Sequence, residues 1–121
     1  MRPPKRILVV DDHEHTSQVL AAILRREGYE ARPAATQQEA LTLADAEQFD
    51  LYLVDNRLPD GSGVELCGEL RALRPDTPTV IYSGAAQKAD HAAAAEAGVT
   101  AYVNKPDIER LIATVKELLP A

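Results

Sequence analysis

The amino-acid sequence predicts an α/β fold, a doubly wound parallel sheet of five strands with five helices. Short apolar runs rich in β-branched residues alternate five times with segments whose apolar residues recur at helical spacing. The third run, residues 50–54 (DLYLV), is nearly continuous, as expected for a strand buried on both faces. A length of 121 residues and a hydrophobic fraction of 45% suit one compact core. We therefore expect residues 1–121 to form a single domain.

The first strand is predicted over residues 6–10, and the helix that follows is expected to end at Gly28, which tolerates a left-handed backbone. Residues 29–34 (YEARPA) give the weakest strand prediction. Pro33 cannot donate to a hydrogen-bond ladder, so this strand is expected near an edge of the sheet. The predicted apolar face of the first helix consists of Val19, Leu20, Ile23 and Leu24.

The second and third helices each begin with a capping box. Thr36 can cap a helix while Glu39 reaches back to it, and this helix is expected to run to about Glu47. Ser62 and Glu65 repeat the pattern at the start of the third helix. The apolar positions of the third helix are Val64, Cys67, Leu70 and Leu73.

Residues 79–83 (TVIYS) and 100–104 (TAYVN) are the fourth and fifth predicted strands. An alanine-rich helix from about residue 90 to residue 97 separates them and is expected to end at Gly98. Asp107 can cap the last helix, whose apolar residues follow helical spacing most closely. Those residues are Ile108, Leu111, Ile112, Val115, Leu118 and Leu119.

The composition argues against several classes of partner. A net charge of −6 opposes a sequence-independent grip on nucleic acid, which relies on clustered Lys and Arg. The lone Cys67 cannot form an internal disulfide and is interpreted as core filler. The apolar run behind the basic N-terminal residues is too short for a signal sequence or a membrane span. We expect a soluble, cytoplasmic protein with no second module after Leu119.

Polar residues follow the predicted strands at the edge where ligands usually bind in an open parallel sheet. Two carboxylates about 4 Å apart repel by about 1 kcal/mol in water and by roughly 4 kcal/mol at an effective dielectric near 20, so a cation is required. Oxygen ligands of this kind suit Mg²⁺. The residues expected at this edge are Asp11, Asp12, Asp55, Ser83 and Lys105.

These residue types suit phosphoryl transfer. Asp55 is the natural nucleophile, because a carboxylate can accept a phosphoryl group to form an acyl phosphate. Lys105 supplies a movable positive charge that can pair with a carboxylate at rest and with a phosphoryl oxygen on transfer. The Ser83 hydroxyl and backbone N–H groups at the strand ends would stabilise the transferring oxygens.

Four segments, in this order and at these spacings, resemble the response-regulator receiver domain, the chemotaxis-receiver-like phosphoacceptor module of bacterial two-component and phosphorelay signalling. They are VVDD (9–12), LVDNRLPDGSG (53–63), IYSG (81–84) and YVNKP (102–106), and the likeness runs from residue 5 to residue 119. The resemblance implies a flavodoxin-like sheet with strand order 2-1-3-4-5. It also implies a signalling domain that is not an enzyme beyond its own phosphorylation and dephosphorylation.

The resemblance further implies that Asp55 is phosphorylated by a histidine kinase or phosphotransfer protein. Asp12 and Asp55 would bind Mg²⁺ together with the backbone carbonyl of Arg57, and Asp11 would help through water. Lys105 would contact the phosphoryl group, and the Lys105–Pro106 peptide bond would be cis.

Ser83 and Tyr102 would form the switch of such a domain. Their reorientation would alter the face made by the fourth helix, the fifth strand and the fifth helix, which would contact a downstream protein. Ser83 stands where Thr is more frequent, so it keeps the hydroxyl and lacks the methyl that stiffens the rotamer. Arg57 lies two residues after the phosphoacceptor, where we expect it to tune phosphoryl lifetime. Gly84 should leave the phosphoryl route open.

Plainer interpretations exist for most of these residues. The acids after the first strand could cap the first helix, and Ser83 could satisfy a loop amide. Lys105 could be solvated, and Tyr102 could be ordinary strand packing. His13 and His15 suggest a metal site beside the acids, but we expect both in the first turn of an exposed helix and do not predict a zinc site.

Three alternative functions fit the sequence less well. An aspartyl-phosphate phosphohydrolase needs a second acid two residues after the nucleophile, where this chain has Arg57. A flavin or nucleotide carrier needs a glycine-rich phosphate loop after the first strand, where this chain has DDHEHT. A receiver-like scaffold that never takes up phosphate has no need for the whole set of acids, hydroxyl and lysine.

Overall fold

A computed structural model describes residues 3–84 and 88–120, without the side chains of residues 88–90. Five parallel strands form one sheet in the order β2-β1-β3-β4-β5, so the predicted fold class and strand order are confirmed. The strands are β1 (Arg6–Val10), β2 (Glu30–Ala34), β3 (Leu51–Val54), β4 (Thr79–Ser83) and β5 (Ala101–Asn104). The helices are α1 (Glu14–Arg26), α2 (Gln37–Ala46), α3 (Gly63–Leu73), α4 (Lys88–Glu96) and α5 (Ile108–Leu118).

The sheet is buried on both faces, because alternate residues of each strand point to opposite sides. In β1, Ile7 and Val9 pack into a core with α1 and α5, and Leu8 and Val10 pack into a second core with α2 and α3. All four side chains are fully buried. Each layer of helices therefore covers one face of the sheet, which is the doubly wound arrangement.

The predicted helix ends are confirmed where side chains or glycines define them. The Thr36 hydroxyl accepts a hydrogen bond from the Glu39 N–H at 3.0 Å, and the Ser62 hydroxyl accepts one from the Glu65 N–H at 3.1 Å. These bonds satisfy N–H groups that a helix leaves without partners in its first turn. Asp107 caps α5 in the same way. Gly28 and Gly98 follow α1 and α4 with φ values of +96° and +81°.

The predicted apolar face of α1 was partly wrong. Val19 was expected in the core, but 41% of its surface is exposed. The buried residues are Ser17, Leu20, Ala21 and Leu24, which form a helical stripe rotated away from Val19. Two residues of this stripe, Ser17 and Ala21, are small. The inward side of α1 is therefore a stripe of small and apolar residues that leaves Val19 outside it.

A short antiparallel hairpin, Arg57–Leu58 with Gly61–Ser62, links β3 to α3. The Asp60 carboxylate at its tip accepts hydrogen bonds from the backbone N–H groups of Gln37 and Gln38, at 2.8 and 3.0 Å. These bonds fasten the segment after β3 to the start of α2. In the described part of the chain, no helix has both the length and the apolar character needed to cross a bilayer.

Candidate functional site

The functional side chains meet where the carboxyl ends of β1, β3, β4 and β5 lie side by side. The backbone N–H of Asp55 donates to the Val10 carbonyl at 2.8 Å, and the N–H of Lys105 donates to the Ser83 carbonyl at 2.9 Å. The strand ladders thus continue one residue beyond β3 and β5. This extension holds the polar side chains at the sheet edge although they come from distant parts of the sequence.

Lys105 is held between two buried carboxylates. Its Nζ atom lies 3.0 Å from Asp11 Oδ2 and 3.6 Å from Asp55 Oδ2. Asp11 and Asp55 are 3% and 7% exposed, whereas Asp12 faces solvent more openly. Lys105 Nζ also lies 5.6 Å from the centre of the Tyr82 ring, within range of a cation–π contact. The ammonium therefore pairs with two of the three acids at this edge of the sheet.

The pKa of the Asp55 carboxyl is raised above its ordinary value. Burial is the largest cause, because it penalises the ionised form, and the negative charge of Asp11 adds to it. The Lys105 ammonium opposes the shift, as do the backbone N–H groups of Arg57 and Asn56. Asp55 is thus a poorly solvated carboxylate for which added positive charge nearby is favourable.

The acids also suit a divalent cation. Asp11, Asp12, His13 and Asp55 each offer one ligand atom, and these atoms all lie within 4.8 Å of one another. Oxygen donors dominate the set, which fits a hard cation such as Mg²⁺. His15 lies in the exposed first turn of α1 as predicted. His13 differs from the prediction: it is the residue before the helix, and its ring contacts both neighbouring acids.

An open cleft of about 370 Å³ lies beside Asp55. Ser83 is only 2% exposed at the end of β4, and a methyl group built at Gly84 would stand 3.9 Å from Lys105 Cβ, an ordinary contact. The Lys105–Pro106 peptide bond at the rim is cis, the isomer implied by the family resemblance. The residues that line the cleft are Asp55, Arg57, Ser83, Gly84 and Lys105.

Tyr102 lies in β5 and is not one of the residues that line the cleft. It pairs with Ile81 in the β4–β5 register, two residues before the level of Ser83. Its ring stacks on the ring of His91 from α4, with centroids 4.1 Å apart and planes at 25°. The predicted switch residues therefore occupy neighbouring strands, and one of them contacts α4.

Sequence reasoning missed two residues that shape the site. A Cβ atom at Gly63 would lie 2.5 Å from the Asp55 carbonyl oxygen and 2.9 Å from Asn56 Cα, so only glycine fits there without moving backbone. Tyr82 contributes the aromatic ring beside Lys105. The sequence signal for Gly63 is the second glycine of DGSG, within the segment LVDNRLPDGSG that carries part of the family resemblance.

Comparison with known proteins gives one consistent family. The sequence model of the response regulator receiver domain matches residues 7–116. The chain is 35% identical over 116 residues to the alkaline phosphatase synthesis transcriptional regulatory protein PhoP of Bacillus subtilis, covering 95% of this chain and 48% of that protein. The chain spans about half the length of the curated relatives it matches.

Solved structures agree with this result. A CheY-like response regulator receiver domain protein of Methanospirillum hungatei superposes with a TM-score of 0.90 at 38% identity, covering 94% of this chain and 92% of that one. The response regulator TrrA of Thermotoga maritima, solved in complex with Mg²⁺ and BeF, gives a TM-score of 0.87 at 33% identity, covering 95% and 99%. The chain therefore belongs to the response regulator receiver domain family, the signalling domains of two-component systems.

Proposed function

We propose that the chain is a phosphoacceptor whose Asp55 takes a phosphoryl group from the phosphohistidine of a histidine kinase or phosphotransfer protein. The observation that carries this proposal is the position of Asp55: its buried carboxylate opens into the cleft, with the Lys105 ammonium 3.6 Å away. The other acids stand beside it. We further propose that residues 1–121 act as one such domain in the cytoplasm and do not bind nucleic acid directly or associate with a membrane.

In the transfer step, an Asp55 carboxylate oxygen attacks phosphorus while the P–N bond to the donor imidazole breaks. The electron pair of that bond stays with the imidazole, which takes up a proton as it leaves. Lys105 moves its charge towards the phosphoryl oxygens, and Ser83 donates its hydroxyl hydrogen to one of them. Hydrolysis later returns the Asp55 carboxylate and releases inorganic phosphate.

The acidic set fits Mg²⁺. Asp12, Asp55 and the backbone carbonyl of Arg57 would hold the ion, and Asp11 would act through a water molecule. When bound, Mg²⁺ neutralises charge that builds on the phosphoryl oxygens. Without a cation, a phosphoryl group would meet three carboxylates, and Lys105 alone cannot balance that charge.

Phosphorylation of Asp55 would change the surface of the domain through Ser83 and Tyr102. Ser83 turns towards the phosphoryl oxygens, and Tyr102 moves inward behind it. Tyr102 must then leave its stack on His91, which alters the face formed by α4, β5 and α5. A downstream protein would bind that face in its altered form.

Intact mass after incubation with acetyl phosphate and Mg²⁺ tests the proposal. The native chain should gain one phosphoryl mass, and Asp55→Asn should gain none because an amide oxygen is not a competent nucleophile. Asp76→Asn, a change at an exposed acid between α3 and β4, is the matched control and should behave as the native chain. An adduct that forms equally on Asp55→Asn would refute the assignment, and an adduct that never forms on the native chain would favour a scaffold.

Arg57 is proposed to set how long the phosphoryl group persists. Its side chain is exposed and lines the cleft beside Asp55, where it can pair with the phosphoryl oxygens or hinder an attacking water. Arg57→Ala should change the rate at which the phosphoryl adduct is lost, and the adduct should still form on Asp55. Arg110→Ala on the exposed side of α5 serves as control. If Arg57→Ala lost the phosphoryl group at the native rate, the proposed role of Arg57 would be wrong, and the phosphoacceptor proposal would be unaffected.

A further inference from the structure

His13 occupies a position at the acidic site that neither capping nor core packing explains. It is the residue before α1, with φ −87° and ψ +106°, and its side chain makes no capping hydrogen bond. Its backbone N–H donates to Asp11 Oδ1 at 2.9 Å, and this bond holds the His13 backbone next to the acids. The side chain is 71% exposed, so burial does not hold the ring in place.

The ring nitrogen points at both acids. His13 Nδ1 lies 3.3 Å from Asp11 Oδ1 and 3.2 Å from Asp12 Oδ1. Asp11 divides its two oxygens between opposite neighbours, since Oδ2 receives the Lys105 ammonium at 3.0 Å and Oδ1 faces His13. The Lys105 contact therefore leaves the His13 side of the acidic cluster available to a cation.

The spacing matches a coordination shell. Adjacent ligands of an octahedral ion with bonds of about 2.1 Å stand about 3.0 Å apart, and opposite ligands about 4.2 Å apart. The 3.2 Å from His13 Nδ1 to Asp12 Oδ1 fits adjacent positions, and the ligand atoms of Asp11, Asp12, His13 and Asp55 all lie within 4.8 Å of one another. A small inward movement of Asp12, His13 and Asp55 would bring their ligand atoms to these spacings, and the Arg57 carbonyl and water would fill the other positions of the six.

We propose that His13 is a further ligand of the divalent-ion site, and that its Nδ1 atom makes the site prefer transition ions such as Ni²⁺ over Mg²⁺. The inference rests on the ion site of the proposed function. In the bound state the lone pair of Nδ1 faces the ion, and the remaining ring proton sits on Nε2 towards solvent. Imidazole nitrogen favours Ni²⁺, Cu²⁺ and Zn²⁺, whereas carboxylate and carbonyl oxygens suit Mg²⁺.

Calorimetric titration of the tag-free chain with Ni²⁺ and, separately, with Mg²⁺ tests the inference. His13→Ala should weaken Ni²⁺ binding by at least about tenfold, because even groups that only orient a metal ligand contribute that much. Mg²⁺ binding should change less than about threefold, since imidazole is a poor ligand for it. His13→Gln, which keeps the length of the side chain and lacks the imidazole, should behave like His13→Ala.

Two controls place the ion. His15→Ala, two residues further into α1 and outside the ligand group, should leave both affinities unchanged. Asp12→Asn should weaken both ions, which would locate Ni²⁺ at the acidic site. X-ray absorption of the Ni²⁺-loaded chain should contain imidazole scattering that is absent in His13→Ala.

Two results would overturn the ligand role of His13. One is an unchanged Ni²⁺ affinity in His13→Ala, and the other is an equal loss for both ions. If either result came with normal phosphorylation of Asp55, the ligand assignment alone would fail. If the native chain neither bound Mg²⁺ nor took up a phosphoryl group, the proposed function would fail as well.

Discussion

Replacing Lys105 with methionine should destabilise the chain strongly in metal-free buffer. At an effective dielectric near 20, the attraction of Lys105 Nζ is about 5.5 kcal/mol to Asp11 at 3.0 Å and about 4.6 kcal/mol to Asp55 at 3.6 Å. Desolvation of the three groups offsets most of this attraction, so the net value is far smaller. Removing one partner of a buried ion pair typically costs about 3–5 kcal/mol. The Lys105 side chain is 23% exposed, and we therefore expect about 3 kcal/mol.

Thermal unfolding followed by far-ultraviolet circular dichroism, with EDTA present at pH 7, measures the effect. A loss of about 3 kcal/mol corresponds to a fall in Tm of roughly 10 °C for a domain of this length. Lys116→Met is the matched control. Lys116 pairs with Glu27 at 2.6 Å on the surface, and its removal should leave the Tm nearly unchanged.

The double variant Lys105→Met with Asp55→Asn separates charge from packing. It should be more stable than Lys105→Met alone, since the buried carboxylate without its counter-ion is then absent. Mg²⁺ should raise the Tm of Lys105→Met more than that of the native chain, because it restores the missing positive charge. A native-like Tm for Lys105→Met, or no recovery in the double variant, would refute this account of the site.

Three further outcomes are expected. Because the pKa of Asp55 is raised on folding, this carboxyl contributes most to stability below its pKa in the unfolded chain. That contribution is lost as pH rises through its pKa in the folded chain. In urea titrations, Asp55→Asn should therefore be more stable than the native chain at pH 7, and the difference should shrink towards pH 3.5. The pKa of Asp60 is lowered by the hydrogen bonds that its carboxylate accepts from backbone N–H groups at the start of α2. Asp60→Ala should therefore reduce the urea midpoint at neutral pH, and Asp60→Asn should give an intermediate midpoint. The loss should disappear as pH falls through the pKa of Asp60 in the folded chain. Gly63→Ala should lower the Tm and the rate of phosphorylation of Asp55, because the new methyl group would meet backbone atoms. Gly68→Ala, on the open side of α3, should instead raise stability by about 1 kcal/mol. Equal effects of the two changes would contradict the close approach at Gly63.

The fold and most of the site could be predicted because both follow from periodicity and strand direction. Apolar runs of strand length alternating with helical stripes leave few arrangements other than a parallel sheet with helices on both faces. Once the sheet is parallel, residues after each strand share one edge, and this rule placed Asp11, Asp55 and Lys105 together. The caps at Thr36, Ser62 and Asp107 were predictable for a different reason, since each capping bond joins residues only three positions apart.

What failed or was missed depends on contacts between segments that lie far apart in the sequence. The spacing of apolar residues alone allowed Val19 to face inward, but the buried stripe of α1 contains Ser17 and Ala21 and leaves Val19 exposed. The contact of Asp60 with the start of α2 joins residues 23 positions apart. No local pattern encodes it.

By itself, the sequence determined the chain's class of fold, the ends of its helices and the set of polar groups delivered to one edge, because each depends on residues within a turn or on the common direction of the strands. Only the tertiary structure decided that Lys105 sits closer to Asp11 than to Asp55, that Gly63 must lack a side chain, and that the His13 ring faces the acids. The reason is that distances of a few tenths of an ångström at the site are set by how whole strands and helices pack. Packing of that kind sums many weak contacts that no short stretch of sequence contains.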